Sequence, residues 1–356
     1  MAENLPSTAE SRLDQLAAVL PRGHRLLIIP HDFPDPDALA AASAFHHLLD
    51  KKFGLHSQIA FSGEVSRAEN KELLRRLCCR WHRLSDLTRS GADMSCILVD
   101  TAPWSRNVTL PKGARVLAVI DHHEHRRAAV KKMPAFCDIR AGTGATTTIA
   151  FEYLKAAGIE PPRWLAAIMA YAIVSETLDL SRETAADDLR AYIELVSHAD
   201  LRVVGKIRHA PLVRSYYARL QEALAEARVL GNVVWTHLSH IEQPEIVAEV
   251  ADLLLRMEGA RWSFCTAHMS GRIFVSIRSS KPGARCSRIL RSAIGRHGAA
   301  GGHDQLAAGY LEVGSATGFD REEKRMELAR TLVRRMVRRV PEGKDAVDLL
   351  SERLVG

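Results

Sequence analysis

Short apolar runs alternate with helix-length segments in the first half of the chain. The apolar runs are rich in Leu, Ile and Val and are followed by turn residues, which predicts buried strands. The segments between and after them have helical periodicity, which predicts helices. Such alternation is typical of an α/β domain with a mainly parallel sheet. The predicted strands are 24–30, 56–61, 95–100 and 114–123, and the predicted helices are 11–20, 38–54, 66–77, 146–158 and 162–176.

The second half of the chain has a different pattern. Residues 185–227 are helical and charged, which indicates a connector. The elements after it predict a smaller domain of mixed α/β type, with a hairpin that turns at Ser270 and Gly271. Its predicted elements are a strand at 233–239, a helix at 243–257, the hairpin at 261–279, a helix at 285–296, a glycine-rich stretch at 297–313 and a basic amphipathic helix at 319–340. The predicted organisation is therefore 1–190 as the first domain, 191–227 as the connector, 228–318 as the second domain and 319–356 as a basic helical tail.

Length and composition agree with two packed domains. The chain has 356 residues, of which 47% are hydrophobic, and a net charge of +7 that suits a phosphate-bearing ligand. No apolar run approaches the length of about 18 residues that a membrane span needs, and the start lacks the plan of a secretory signal, so we expect a cytoplasmic location and no membrane partner. The six cysteines form no CxxC pair, which argues against a zinc ribbon or a disulfide framework.

Three of the predicted strands end in His or Asp. The stretch "HDFPDPD" at 31–37 follows the first strand, Asp100 ends "CILVD", and Asp121 begins "DHH". The carboxyl ends of parallel strands lie along one edge of a sheet, so these side chains are expected to meet there. Carboxylates and imidazoles suit a divalent metal such as manganese, and two such ions can clamp the oxygens of a phosphoryl transfer. Taken alone, "HDFPDPD" is more typical of a turn.

Read together, these motifs resemble the DHH phosphoesterase superfamily. "HDFPDPDALAAA", Asp100, "DHH" at 121–123 and "SETLD" at 175–179 match its four motifs in order. "SIRSS" at 276–280 and "GGHDQLAAG" at 301–309 resemble the associated DHHA1 domain. The resemblance implies an α/β fold of two domains, with an N-terminal mainly parallel-sheet DHH domain and a smaller C-terminal mixed α/β DHHA1 domain. The two-domain form is most similar to the nanoRNase (oligoribonuclease) and pAp phosphatase group.

The resemblance also implies a role for each matching residue. Asp100 would bridge two metals, Asp121 would orient His122, and His123 would face the substrate phosphate or help proton transfer. Glu176 stands where the family has Asp, so either Glu176 or Asp179 would be the last ligand, and we favour Glu176. Asp32 is a spacer in the family pattern. The implied metal ligands are His31, Asp35, Asp37, Asp100, His122 and Glu176, and the implied phosphate contacts are Arg278, Gly301, Gly302 and His303.

Two local features leave alternatives open. Asp304 follows His303 where the family often has a basic residue, which leaves the substrate preference open. "GTGATTT" at 142–148 opens a helix whose free N–H groups would meet phosphate, although a plain helix start needs no function.

The function implied by the resemblance is hydrolysis of phosphoesters. We expect two Mn²⁺ ions, with Mg²⁺ or Co²⁺ as alternatives, that activate hydroxide for attack on phosphorus. The expected substrates are short RNA or DNA oligonucleotides, 3′-phosphoadenosine 5′-phosphate (pAp) or linear dinucleotides, and the family suggests a homodimer. The alternatives are an exopolyphosphatase or pyrophosphatase type of hydrolase and a nucleotide-binding sensor without turnover.

Overall fold

Contacts divide the chain into two units, Met1–Ala210 and Pro211–Gly356. The division lies inside the segment 191–227 that the sequence predicted as a connector. No helix in the described part of the chain is long and apolar enough to cross a membrane. The computed structural model describes residues 8–21, 26–87, 94–105, 107–124, 133–302, 304–314, 318–337, 347 and 351–355.

The first unit is a six-stranded sheet with its helices. All five strand pairings are parallel, and the strand order is β3-β2-β1-β4-β5-β6. The predicted α/β class with a parallel sheet is therefore confirmed. The strands are β1 Leu26–Ile29, β2 Ser57–Phe61, β3 Trp81–Arg83, β4 Ser95–Val99, β5 Arg115–Asp121 and β6 Phe136–Ile139. The helices are α1 Ala9–Val19, α2 Pro36–Phe53, α3 Ala68–Arg76, α4 Leu84–Leu87, α5 Thr146–Ala156, α6 Arg163–Glu176, α7 Ala186–His198 and α8 Leu201–Arg208.

The central strand β1 explains why the apolar runs are continuous. Its four residues are all buried, and they alternate between the two faces of the sheet. Leu26 and Ile28 belong to the larger core with α2, α5 and α6, whereas Leu27 and Ile29 belong to a smaller core on the other face. A strand that is covered on both faces has no solvent-exposed side, so its residues are apolar without interruption, as is typical of parallel sheets.

The second unit has a seven-stranded mixed sheet, and the described part of the unit also contains helices. The strand order is β11-β12-β10-β9-β8-β7-β13, in which β8 and β9 are parallel and the other pairs are antiparallel. The strands are β7 Arg228–Leu230, β8 Val233–Leu238, β9 Trp262–Met269, β10 Arg272–Ser279, β11 Gly298–Gly302, β12 Leu306–Glu312 and β13 Glu352–Arg353. The helices are α9 Arg214–Ala225, α10 Glu245–Leu255, α11 Cys286–Ile294 and α12 Gly318–Met336.

The predicted hairpin and the glycine-rich stretch of this unit both form paired strands. The hairpin turn is confirmed, because Ser270 and Gly271 both have positive φ angles, 49° and 73°, between β9 and β10. The glycine-rich stretch, to which the sequence assigned no element, forms the antiparallel pair β11–β12. Gly309 shows the reason: a Cβ there would lie 2.3 Å from the carbonyl oxygen of Ala299, so glycine permits the close strand approach.

The basic helix near the C-terminus is part of the second core. Leu328, Leu332 and Val333 of α12 are buried in one cluster with Trp235 of β8 and Phe264 of β9. Its apolar face therefore packs against the sheet, while most of its charged residues stay exposed.

Candidate metal centre

The carboxyl ends of three neighbouring strands bring the predicted residues of the first unit together. Strand β4 lies between β1 and β5, and Asp100 directly follows β4. Its backbone is left-handed, with φ 59°, and its N–H donates to the carbonyl of Ile120 over 2.9 Å. Asp tolerates this conformation better than most residues do. The turn places the Asp100 carboxylate at the centre of the cluster, where it is 1% exposed.

His31 and Asp35 lie on one side of Asp100. The Nε2 atom of His31 is 3.5 Å from a carboxylate oxygen of Asp35 and 3.5 Å from one of Asp100. Its Nδ1 atom is 2.8 Å from the carbonyl of Asp32, which fixes the ring with Nε2 toward the carboxylates. Asp35 is the N-cap of α2 and accepts the N–H of Ala38 over 3.0 Å, so the helix start holds this carboxylate in place.

Asp37 is buried against the start of α5. Its two oxygens accept the backbone N–H groups of Thr146 over 2.7 Å and Thr147 over 2.8 Å, and the Thr146 hydroxyl donates to Asp100 over 2.8 Å. The N–H groups that we considered for phosphate are thus engaged by a carboxylate of the cluster. The positive end of the α5 dipole faces the negative charge of Asp37.

Asp188 supports the start of α5 and was missed by the sequence analysis. This buried residue of α7 accepts the N–H of Gly144 over 2.7 Å and that of Ala185 over 2.8 Å, and it accepts the Thr148 hydroxyl over 2.6 Å. A Cβ at Gly144 would lie 2.7 Å from the same carboxylate. The glycine of "GTG" is therefore explained by packing, and the signal in the sequence was an acid near the start of a later helix, α7.

The histidine pair after β5 corrects one predicted contact. Asp121 was expected to orient His122, but its carboxylate accepts the backbone N–H of His123 over 3.0 Å and lies 2.8 Å from the Nδ1 atom of His123. His122 is instead oriented by the carbonyl of Thr143, 3.1 Å from its Nδ1. Its Nε2 points at Asp100 and Asp37, at 3.6 and 4.0 Å. The rings of His122 and His123 are therefore oriented by different groups.

Glu176 and Asp179 occupy different environments. Glu176 ends α6 with its side chain mostly buried, and burial followed by the charges of Asp35 and Asp37 raises its pKa to about 8. Asp179 is 80% exposed and pairs with Arg208 over 3.4 Å. The position favours Glu176 as the acid of the cluster.

The electrostatics of the cluster show crowded negative charge. Burial raises the pKa of Asp100 well above its usual range, and the charges of Asp37 and Asp35 raise it further. For His31, burial acts against the charged ring, but the hydrogen bond and charge of Asp35 and the charge of Asp100 outweigh it and raise the pKa to about 10. The cluster therefore stabilises cations strongly.

The donor set fits divalent metal ions. The Nε2 atom of His122 is buried and has no hydrogen-bond partner among the residues that the structure describes, and it points at two carboxylates. His31, Asp35 and Asp100 form one group whose potential ligand atoms lie within 4.8 Å of one another, and Asp100, His122 and His123 form another. Asp100 is common to both groups, as a bridging ligand would be.

Comparison with known proteins agrees with this arrangement. Residues 25–173 match the N-terminal domain of the DHH family, and this range contains the three strand ends. The N-terminal domain belongs to the DHH family. The predicted superfamily is thus confirmed for the part of the chain that carries the cluster.

Two curated relatives differ in how much of this chain they cover. An uncharacterized protein of Methanocaldococcus jannaschii is 30% identical over 313 residues, which are 87% of this chain and 62% of that protein. A probable manganese-dependent inorganic pyrophosphatase of Streptococcus pyogenes is 25% identical over 160 residues, which are 45% of this chain and 50% of that protein. The chain thus spans less than two thirds of the length of either relative.

A solved structure shares the fold over nearly the whole chain. The crystal structure of an exopolyphosphatase-related protein from Bacteroides fragilis matches with a TM-score of 0.71 and 15% identity, and the match covers 94% of this chain and 100% of that one. At this identity the likeness concerns the fold, and it supports the two-domain α/β class.

Of the residues predicted to contact phosphate in the second unit, Arg278 already binds other side chains. Arg278 is 12% exposed, and its guanidinium donates to Asp252 over 2.5 and 3.4 Å and to Ser276 over 2.7 Å. Gly301 and Gly302 lie at the end of β11, and His303 lies outside the described residues. Their role in phosphate binding stays a prediction.

Asp304 has a structural role in the second unit. Its carboxylate accepts the N–H groups of Gly283 and Arg285, over 2.6 and 2.9 Å. It therefore fixes the turn before α11, where Arg285 has a left-handed backbone. This contact explains the acidic residue at position 304, where the DHH superfamily often has a basic residue.

Proposed function

We propose that this DHH protein is a metal-dependent phosphoesterase. The observation that carries the proposal is the Asp100 carboxylate, which is buried among three imidazoles: it lies 3.5 Å from His31, 3.6 Å from His122 and 3.5 Å from His123. A carboxylate shared among imidazoles and flanked by other carboxylates is a donor set for Mn²⁺ or a similar divalent ion.

The cluster has enough donors for two ions. His31, Asp35 and Asp100 would hold one, and Asp37, Asp100 and His122 would hold the other, with Glu176 as a further ligand. When bound, such ions offset the charge of a phosphate and make water a stronger nucleophile near neutral pH. The Thr146 and Thr147 amides and the Thr143 carbonyl keep the Asp37 and His122 side chains in orientation, as supporting contacts do in metal sites.

His123 is placed for proton transfer. Its side chain is 49% exposed, so it borders both the carboxylate cluster and solvent. Burial acts against its charged form, but the hydrogen bond with Asp121 and the charges of Asp100 and Asp121 outweigh burial and raise its pKa to about 10. A charged imidazole held by Asp121 would contact a substrate phosphate and donate a proton to the leaving oxygen.

For substrates we propose short oligonucleotides, pAp or linear dinucleotides. Phe33 supports a substrate with a base, because it lies between His31 and Asp35 in the chain and its ring is 58% exposed. Its backbone is left-handed, with φ 56°, and a Cβ at Gly63 would lie 2.7 Å from the ring. A fixed, exposed aromatic ring beside a phosphate site is suited to stacking on a nucleobase.

A second candidate is hydrolysis of pyrophosphate or polyphosphate. It is favoured by the sequence similarity to the probable manganese-dependent inorganic pyrophosphatase of Streptococcus pyogenes. These substrates have no base, so Phe33→Ala would leave their hydrolysis unchanged but raise the KM for pApA.

The test is a hydrolysis panel with added Mn²⁺ that covers pAp, pApA, pGpG, longer RNA, pyrophosphate and polyphosphate. We expect fastest turnover on a base-bearing substrate, and near-total loss with Asp100→Asn. Asp32→Asn is the matched control, because Asp32 contacts Thr109 over 2.7 and 3.1 Å and not the cluster centre. Tight nucleotide binding without turnover would instead indicate a sensor, and a protein inert on every phosphoester would refute the proposal.

A further inference from the structure

A second group of histidine and carboxylate side chains lies in the second unit. His237, His268 and Glu322 each offer a ligand atom, and these atoms all lie within 4.8 Å of one another. His237 is on β8, His268 is on β9 and Glu322 is on α12, so three separate elements meet at this point. Neither the family resemblance nor the proposed activity uses any of these residues.

The strand register accounts for the histidine pair. In the parallel pair β8–β9, His237 is opposite Thr266, and His268 follows two positions later on the same face of the sheet. The two rings are 5.0 Å apart between centroids and meet edge to face at 83°. Trp235 and Phe264 precede them on that face, and both pack in the core with α12. The cluster therefore continues the interface between α12 and the sheet.

The imidazole nitrogens are arranged for a ligand. The Nδ1 atom of His237 lies 3.0 Å from the hydroxyl of Thr266, which leaves its Nε2 for another partner. The Nδ1 atom of His268 is buried and has no hydrogen-bond partner in the described part of the chain. A buried polar atom without a partner costs stability unless something binds it.

The charge state of the three side chains suits a metal ion. Burial lowers the pKa of His237 far below its usual range, with the positive charge of Arg325 as the second cause. Burial also lowers the pKa of His268. Both shifts favour the neutral ring, which is the form that binds metals. A hydrogen bond from Arg325 lowers the pKa of Glu322, so its carboxylate is charged.

We propose that His237, His268 and Glu322 form a site for a divalent ion of zinc type that ties α12 to the sheet of the second unit. Two neutral imidazoles and one carboxylate are a ligand set that Zn²⁺ accepts, with a fourth position left for water. The proposal is independent of the hydrolytic activity, because it concerns a different unit and other residues.

Arg325 is the group that competes with the ion. It donates to Glu322 through Nε over 2.8 Å and through a second, shorter contact from Nη2. A carboxylate has lone pairs for more than these two contacts. Glu322 would therefore keep its hydrogen bonds with Arg325 while it binds an ion. The positive charge of Arg325 nevertheless weakens the site, and Arg321 and His240 also act on His268.

The test is zinc binding by the full chain, measured by metal content after dialysis and by competition with a chromophoric chelator. We expect Glu322→Gln and His268→Ala each to lower the zinc content by one ion per chain, or to weaken the affinity for that ion by at least about a hundredfold. Glu323→Gln, at an exposed position on the same helix, is the matched control and should change nothing. Arg325→Gln should tighten binding by about tenfold, because it removes the competing charge.

Glu322 is half exposed, so the Glu322→Gln chain is expected to fold even where His268→Ala fails. Substitution with Co²⁺ gives a second readout, because imidazole and carboxylate ligands in tetrahedral geometry produce visible absorption that should be weaker in Glu322→Gln than in wild type. Equal zinc content in wild type, Glu322→Gln and Glu323→Gln would overturn the proposal, and so would weaker binding by Arg325→Gln.

Discussion

Two histidine–carboxylate clusters among the described residues differ in how they are built. The cluster around Asp100 lies at the ends of parallel strands, with several carboxylates crowded around each imidazole. The cluster around His268 lies on a sheet face, with two neutral imidazoles and one half-exposed carboxylate beside an arginine. The first therefore suits hard ions that prefer oxygen, such as Mn²⁺, and the second suits an ion that prefers imidazole.

The difference also concerns how each cluster is supported. In the first unit, backbone amides at helix starts hold Asp35 and Asp37, so the negative charges are maintained by the fold. In the second unit, the Thr266 hydroxyl contacts His237 and Arg325 donates to Glu322. A site for chemistry on phosphate needs the fixed charges of the first kind, whereas a site that joins a helix to a sheet needs few ligands from different elements.

The largest expected effect is that of Asp100→Asn. It removes the charge shared by the two proposed ions, so we expect hydrolysis to fall by at least about a thousandfold. Zinc binding at His237, His268 and Glu322 should be unchanged, which separates the two clusters. Steady-state kinetics with added Mn²⁺ and zinc content on the same preparation check both statements.

Asp188→Asn should destabilise the first unit by about 2–4 kcal/mol, because it replaces an acceptor in a buried group of three hydrogen bonds. Denaturant unfolding measures this loss, and Mn²⁺ affinity should fall because the start of α5 supports Asp37. Asp187→Asn is the matched control, since Asp187 is exposed and pairs with Arg190 over 2.6 Å. Equal stability of the two variants would count against this role of Asp188.

Asp121→Asn should slow turnover by about tenfold to a hundredfold while Mn²⁺ affinity changes little, because Asp121 supports His123. Loss of the carboxylate charge also lowers the pKa of His123, so the alkaline limb of the rate profile should move to lower pH. Kinetics across pH measure both effects. Weaker Mn²⁺ binding with an unshifted pH profile would contradict this role and would indicate that Asp121 orients His122.

Stability should respond to pH with opposite sign in the two units of the metal-free chain. The pKa of His31 is raised from 6.5 to about 10, so its contribution is complete below 6.5 and is lost as the pH rises toward 10. The pKa of His237 is lowered from 6.5, so its contribution is complete above 6.5 and is lost as the pH falls below that value. Hydrogen exchange resolved by peptide can follow each unit separately.

The smallest expected effect is that of Asp32→Ala. Asp32 holds Thr109 and lies outside the carboxylate cluster, so its loss should cost only a few-fold in turnover. Asp35→Ala should cost far more, because it removes a proposed ligand and the cap of α2. Similar losses in the two variants would mean that the turn itself, rather than its charges, determines activity.

Particular residues show what the sequence could predict. His31, Asp37 and Asp100 could be found because each follows an apolar strand, and parallel strands bring their ends together. The partner of His123 and the role of Asp188 could not, because both depend on side-chain orientation and on contacts between distant segments. His237, His268 and Glu322 form no local motif, so only the strand register and the packing of α12 reveal them.

The most direct measurement is the number of Mn²⁺ ions bound per chain, determined by equilibrium dialysis for wild type, Asp100→Asn and Glu322→Gln. If Asp100 is shared by two ions at the strand ends, wild type and Glu322→Gln will each bind about two Mn²⁺ ions, and Asp100→Asn will bind fewer than one. Two ions retained by Asp100→Asn, with unchanged affinity, would contradict the account.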